Sequence, residues 1–205
     1  MAKSSSTNRL QLTNFKLNSL LQITEAINEN LTQEQLLDKY KELLTKDLKI
    51  GKVLVFKWEE TWKCILKSGK VGGNYKKINI ERDLICLTEI TFVTTSPIEN
   101  LEGFDIVIPV INKNQHIAFV IIGDIEEEGE GISPTIKHLR FIQTLSNIII
   151  VAIENIRLFK ELLHQEAMKK ELELASKMQS MLIPSQDILP GDDRIYIKAF
   201  YHPHL

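Results

Sequence analysis

From Thr135 to Ile183 the chain contains neither proline nor glycine. The two residues that most readily stop a helix are missing there. Just ahead, Ser133–Pro134 supplies an N-cap serine and a proline at the first helical position. At 1.5 Å per residue an unbroken helix of that length would be roughly 70 Å long. That exceeds a small domain, so its far half must either project from the fold or pair with another helix. Leu145, Ile149, Ala152, Ile156, Phe159 and Leu163 recur at steps of four and three, the a/d rhythm of a coiled coil. Around Ile148 to Ile153 the helix is apolar on nearly every side and needs a partner on each face. The chain's own sheet or helices can cover one face, and the same helix of a second copy most simply covers the other. Beyond Leu163 the rhythm slips by a step of five before Met168, Leu172, Ala175, Met178 or Gln179, and Leu182 resume it, a local change of winding. Glu166–Lys170 and Glu173–Lys177 add i,i+4 pairs in the favourable orientation. The alternative is a helix folded back on its own domain.

The rest of the chain has room for one ordinary domain. Of its 205 residues 43% are apolar and 25% charged, enough for a real core in a soluble protein. The net charge of −2 gives no field that would gather nucleic acid or anionic lipid. MAKSSSTNR lacks the apolar core of a signal peptide, and the greasiest run, Ile148 to Ile153, is far short of the ~20 residues of a membrane span. A cytoplasmic protein is expected, with neither nucleic acid nor membrane as partner. Cys64 and Cys86 fit two unpaired core residues better than a secreted disulfide, though two thiols can form a bridge.

Residues 1–12 are polar and expected to be frayed. Phe15, Leu17, Leu20, Leu21, Ile23, Ala26 and Ile27 make a broad helical stripe. Thr32 opens a second helix, with Gln35 completing a capping box and Leu36, Leu37, Tyr40, Leu43, Leu44 and Leu48 on its buried face. From Ile50 the period becomes extended. Val53, Val55 and Phe56 form a first strand, Glu59–Glu60–Thr61 a turn, and Trp62, Cys64 and Leu66 a second strand closed by Ser68–Gly69. Gly72–Gly73–Asn74 reads as a loop, Lys76 to Ile80 as a short edge strand, and Leu84 to Phe92 as a short helix followed by a strand. Phe104 to Ile111 and Gln115 to Asp124, joined through Asn112–Lys113–Asn114, read as a hairpin. Its near-continuous apolar strands belong in the middle of a sheet covered on both faces. The acidic stretch from Ile125 to Gly131 reads as a solvated loop, since a cation site needs ligands from elsewhere.

Few residues invite chemistry. No phosphate-binding glycine loop, nucleophile elbow, HExxH or paired CxxC occurs. His164 lies on the long helix as a phospho-accepting histidine would, but LLHQEAMKK lacks the proline that usually follows one. His202–Pro203–His204 offers two metal ligands without a third. No active site assembles from these residues.

Two helices, a strand pair, a variable middle, an apolar hairpin and a long exit helix come in a recognisable order. From about Asn14 to Ile156 this order resembles a GAF domain. The resemblance implies an α+β fold: an antiparallel sheet with flanking helices, here followed by a long C-terminal coiled-coil-type helix. It also implies a small-molecule ligand in a pocket between sheet and loops. The Asn-Lys-Phe-Asp-Glu motif of cyclic-nucleotide-binding members is missing, and neither cysteine sits in an obvious bilin-attachment context. A PAS-like fold fits the paired N-terminal helices less well.

Glu173, Ala175, Met178, Gln179, Leu182 and Pro184, with Pro190 later, resemble the E-x-A-x-x-[IM]-Q-x-x-L-x-P…P segment that leads into SpoIIE/RsbU-type serine phosphatases. In that family it joins an upstream sensor to a PPM-type domain that binds Mn²⁺ or Mg²⁺ through a Gly-Gly-Asp element. By this resemblance Ile195 to Tyr201 would be that domain's first strand and His202 to Leu205 would lie just before the Gly-Gly-Asp, so no cofactor is expected in this chain. The implied organisation is a disordered N-terminus at 1–12, a GAF-like sensor at 13–156, a signalling and dimerisation helix at 157–183, and the start of a phosphatase domain at 184–205. The expected function is that of a homodimeric bacterial module controlling a serine phosphatase, whose phosphoprotein substrate concerns only the full-length protein. The alternative is a ligand-free GAF-like scaffold, or a sensor for another output domain.

Overall fold

The computed structural model describes residues 2–93, 95, 98–125 and 134–182. It divides into two compact units, Met1–Asn155 and Ile156–Leu205. The first helix, α1, runs Ala2–Asn28, so it reaches back through the residues expected to be frayed. No proline or glycine interrupts the chain before Gly51, and a helix once nucleated extends cheaply through such a stretch. Only one face of its apolar stripe is buried: Ser19, Ile23 and Ala26 lie inside, while Leu17 and Leu21 face out.

Helix α2, Gln33–Glu42, starts as its sequence requires. Thr32 accepts a hydrogen bond from the Gln35 backbone N–H, and the Gln35 side chain accepts one from the Thr32 N–H. These bonds satisfy two of the donors that a helix start leaves open. A π-helical turn, Leu43–Asp47, carries the chain on to the sheet. All six residues expected on the buried face, Leu36 through Leu48, are buried.

The sheet has five strands in the order β2-β1-β5-β4-β3, with every described pairing antiparallel. Strand β1 is Ile50–Glu59, β2 Thr61–Ser68, β3 Thr91–Phe92, β4 Ile106–Asn112 and β5 Gln115–Ile125. The hairpin between β4 and β5 turns on Lys113 and Asn114 with φ of 47° and 63°, the left-handed pair that a tight two-residue turn demands. Pro109 is tolerated inside β4 because β3 pairs only as far as Val107, so no ladder donor is required of it there. At the far end of β2, Gly69 (φ 84°) lies so close to the Gly51 carbonyl that any Cβ would collide with it.

Strand alternation assigns the two faces. Val53, Val55 and Lys57 of β1 share one face with Ala118, Val120 and Ile122 of β5. The opposite face presents Leu54, Phe56, Val107, Phe119 and Ile121, and the segment after β2 lies on it. That segment contributes Ile78, Ile80, Leu84, Val93, Leu101 and Phe104 to one buried apolar cluster with the sheet. The expected edge strand from Lys76 to Ile80 does not form. Gly73–Lys77 is a 3₁₀ turn, and Asn79 caps a four-residue helix α3, Ile80–Asp83, by accepting from the Arg82 N–H. The alternation of Ile78 and Ile80 mimics a strand, but the capping asparagine decides the outcome.

Helix α4, Pro134–Leu182, is continuous over 49 residues. Its first half closes the core through Ile142, Leu145, Ile149, Ile150 and Ile153, all without exposed surface. Each such side chain contributes about 1.5–3 kcal/mol through burial. By length and composition alone one window of this helix would suffice to cross a membrane, and half of that window is buried in the chain. Packing within the core accounts for that buried half.

Candidate functional site

The face that the sequence reading assigned to a ligand is filled by the chain's own side chains over most of its area. What stays open is a groove of about 520 Å³ beside strand β2. Phe56, Trp62 and Cys64 form its floor, and Tyr75 through Glu81 form its wall. A row of rings runs from it across the sheet: Trp62 lies 5.4 Å from both Trp58 and Phe119, and His116 stacks on Phe119 at 5.2 Å. His116 Nε2 lies 2.8 Å from the Leu87 carbonyl, tying β5 to the segment that covers this face. Lys67 Nζ sits 4.5 Å from the centre of the Tyr75 ring, a cation–π contact. The groove thus combines apolar rings with the amines of Lys76 and Lys77, the carboxylate of Glu81 and the amide of Asn79.

The two cysteines are unpaired, as expected, but exposed rather than in the core. Cys64 shares the groove face with Trp62, but a bulge opposite Val55 and Phe56 turns Leu66 to the other face, so the simple alternation expected of these three residues does not hold; β2 is an edge strand, and the groove lies beside Cys64. Partial burial still pushes the Cys64 thiol up, away from the reactive thiolate. Cys86 follows α3 in a turn.

The residues expected along a dimer seam divide sharply. Leu145, Ile149 and Ala152 are buried in the chain's own core, so that part of the expected seam is closed to a second copy. A 4-3 spacing marks one face of a helix without saying what covers it. Ile156 is partly covered. Phe159, Leu163, Met168 and Leu172 are 62%, 51%, 54% and 52% exposed, and Ala175 is exposed as well. The phosphatase-entry residues Glu173, Ala175, Met178, Gln179 and Leu182 are all exposed on α4. Pro184, Ser133, most of the acidic stretch, the strand expected at Ile195 to Tyr201 and the His202–His204 pair lie outside the described residues. His164 is exposed. Among the described residues no three His, Cys, Asp or Glu side chains are grouped to hold a metal ion.

A charged site was missed by the sequence reading. Lys57 has no exposed surface, and its Nζ lies 2.7 Å from Glu154 Oε2 on α4 and 3.3 Å from Glu59 Oε1 on its own strand. The signal was present: Lys57 falls in phase with Val53 and Val55, so the strand period points it inward. Two turns earlier on α4, Ser146 forms a buried hydrogen bond with Tyr40 of α2. The Ser146 hydroxyl donates its proton to the Ile142 carbonyl at 2.6 Å, so Tyr40 is the donor to Ser146. Burial raises the Tyr40 phenol well above its ordinary range.

No protein-family model matches the chain, and no curated relative matches it. Solved structures do. The GAF domain of a protein described as a sensor histidine kinase from Pseudomonas syringae pv. tomato matches with TM-score 0.60 and 12% identity, over 78% of this chain and 99% of that one. Two GAF domains of phosphoenolpyruvate-protein phosphotransferases, from Acinetobacter and from Coxiella burnetii, match with TM-scores of 0.52 and 0.51. Their identities are 14% and 18%, and each match covers 71% of this chain and 96% of the other. The fold is that of a GAF domain, with a mixed α+β architecture, a five-stranded antiparallel sheet and a long C-terminal helix.

Proposed function

We propose that this chain is the sensory and dimerising half of a signalling protein, and that its output is a PPM-type serine phosphatase domain joined through α4. The observation that carries the reading is the distal half of that helix. From Leu158 to Leu182 its large apolar side chains are 47% to 84% exposed, a pattern that calls for a partner helix. A second copy supplies the same stripe at no further requirement. The phosphatase assignment rests on the motif from Glu173 to Pro184. The GAF fold supports a sensory role, since a GAF domain is the matched part of a protein described as a sensor kinase.

Light scattering on the full chain at micromolar concentration is expected to give a dimer, and Phe159→Glu with Leu163→Glu a monomer of unchanged fold. A monomeric parent chain would overturn the dimer. The coding sequence after Leu205 is expected to contain the Gly-Gly-Asp element. Its absence would remove the phosphatase and leave the dimeric sensor.

A second reading, a scaffold that senses nothing, is favoured by the filled ligand face of the sheet. The groove beside β2 separates the two readings. Small planar anions suit its rings and lysines, and a thermal shift that Trp62→Ala abolishes is expected if it senses. Indifference of the parent chain to such anions and to neutral metabolites supports the scaffold.

A further inference from the structure

The two edges of the sheet are treated differently. On one side β3 has only two residues, and Pro109 stands in β4 beyond the reach of their pairing. A short strand and a proline both keep an edge from adding a further strand. On the other side β2 runs for eight residues without a proline, and only Leu66 among them is buried. No described strand lies beyond it, so the backbone groups on its outer side have no ladder partner. The bulge divides β2 but leaves a regular run, Thr61 to Cys64, beside the groove.

Charge makes this edge selective. Between Glu60 and Glu81 the chain has five lysines, at 63, 67, 70, 76 and 77, and no acidic residue. All five are exposed. Lys63 and Lys67 lie on opposite faces of β2, one opposite Lys57 and the other opposite Leu54. Lys76 and Lys77 belong to the wall of the groove. Lys63 lies 3.6 Å from Glu59, whereas the other four pair with no carboxylate among the described residues. A second copy of β2 laid on this edge would crowd lysine against lysine, and like charges on neighbouring strands destabilise a sheet. A strand bearing carboxylates gains cross-strand pairs instead.

The groove adds a place for apolar side chains. Trp62 and Cys64 of the edge strand form its floor together with Phe56, and Tyr75 stands in its wall. Small-molecule sites enclose most of their ligand. A groove floored by an exposed edge strand suits an extended segment, whose backbone joins the strand while alternate side chains enter the groove.

We infer that β2 accepts a sixth strand from a partner protein: an extended acidic segment in which apolar residues alternate with carboxylates. The apolar residues enter the groove against Trp62 and Tyr75, and the carboxylates are met by lysines on either face. This docking goes beyond the function proposed above and requires neither its dimer nor its phosphatase.

Fluorescence anisotropy on the full chain tests it with a labelled peptide of alternating glutamate and valine, as long as β2. A glutamate–proline peptide of equal charge and a lysine–valine peptide serve as controls. The glutamate–valine peptide should bind at least about tenfold more tightly than the glutamate–proline peptide, because proline cannot donate to a ladder. The lysine–valine peptide should not bind. Amide exchange in the parent chain should slow from Thr61 to Ser68 when the glutamate–valine peptide is bound. Lys63→Glu with Lys67→Glu should weaken that peptide at least about tenfold and admit the lysine–valine one. Equal binding of the two acidic peptides would overturn the inference, as would no binding of either or protection confined to residues outside β2. Tighter binding of an oligothymidylate would overturn it too, by making the lysines a nucleic-acid surface. Exchange is read on the parent chain, so the test holds even if the double variant does not fold. A monomer in light scattering would leave every one of these readouts in place, so failure here is distinct from failure of the proposed function.

Discussion

Between Ile142 and Ile153, α4 carries five apolar side chains with no exposed surface. Between Leu158 and Leu182 the same helix leaves every large apolar side chain at least 47% exposed. The backbone is helical in both stretches and the 4-3 spacing of the first returns in the second after its slip, but residues 142–153 carry no charged side chain and residues 158–182 carry eight. The surroundings differ with it: a sheet and two helices against one, water against the other. Helical periodicity therefore tells where an interface lies on a helix, whereas its owner is decided by the rest of the chain. The proximal stretch also carries polar contacts that a purely hydrophobic seam does not need, Ser146 with Tyr40 and Glu154 with Lys57.

The largest expected contrast comes from truncating one residue in each half. Ile149→Ala removes a fully buried side chain and should cost about 2–5 kcal/mol of domain stability in urea unfolding. Leu163→Ala, half exposed, should leave that transition within about 0.5 kcal/mol, and instead weaken the proposed dimer as measured by sedimentation. Equal effects on domain unfolding would erase the distinction between the halves.

A smaller effect tests the polar anchor of the proximal half. Tyr40→Phe deletes a buried donor and should cost about 1–2 kcal/mol, with the distal half unaffected in hydrogen exchange. The pH dependence has a definite sign. Burial raises the phenol's pKa in the folded chain, so the tyrosine's contribution is intact below its unfolded value. It falls as pH rises past about 10, where only the unfolded chain ionises. The parent should lose stability in that alkaline window, and Tyr40→Phe should lose less of it.

Features set by a few neighbouring residues were legible in the sequence. The Thr32–Gln35 box, the Lys113–Asn114 hairpin and the helix from Pro134 each depend on contacts within a few positions. Sequence reading went astray where a distant partner made the choice. Ile78 and Ile80 alternate as in a strand, yet they fill the second sheet face from a 3₁₀ turn and a capped helix. Leu145, Ile149 and Ala152 show the spacing of a seam, and the chain's own core takes them. Cys64 points inward from a strand whose neighbour is a groove. Lys57 was readable as an inward-facing lysine, but Glu154, nearly 100 positions away, could be matched to it only once the fold was known.

The smallest expected effect lies wholly within the distal half. Arg157 Nη1 and Glu161 Oε2 are 3.2 Å apart, with both side chains 41% or more exposed. Such i,i+4 pairs stabilise a helix by about 0.3–0.5 kcal/mol and are screened by salt. Glu161→Gln should therefore leave domain unfolding unmoved. It should raise amide exchange around residues 157–165 slightly at low salt, and not at all at high salt. If Glu161→Gln shifted domain unfolding by a full kcal/mol, residues beyond Asn155 would have to be coupled to the core, and α4 would no longer divide into a half held by the domain and a half whose apolar side chains are exposed.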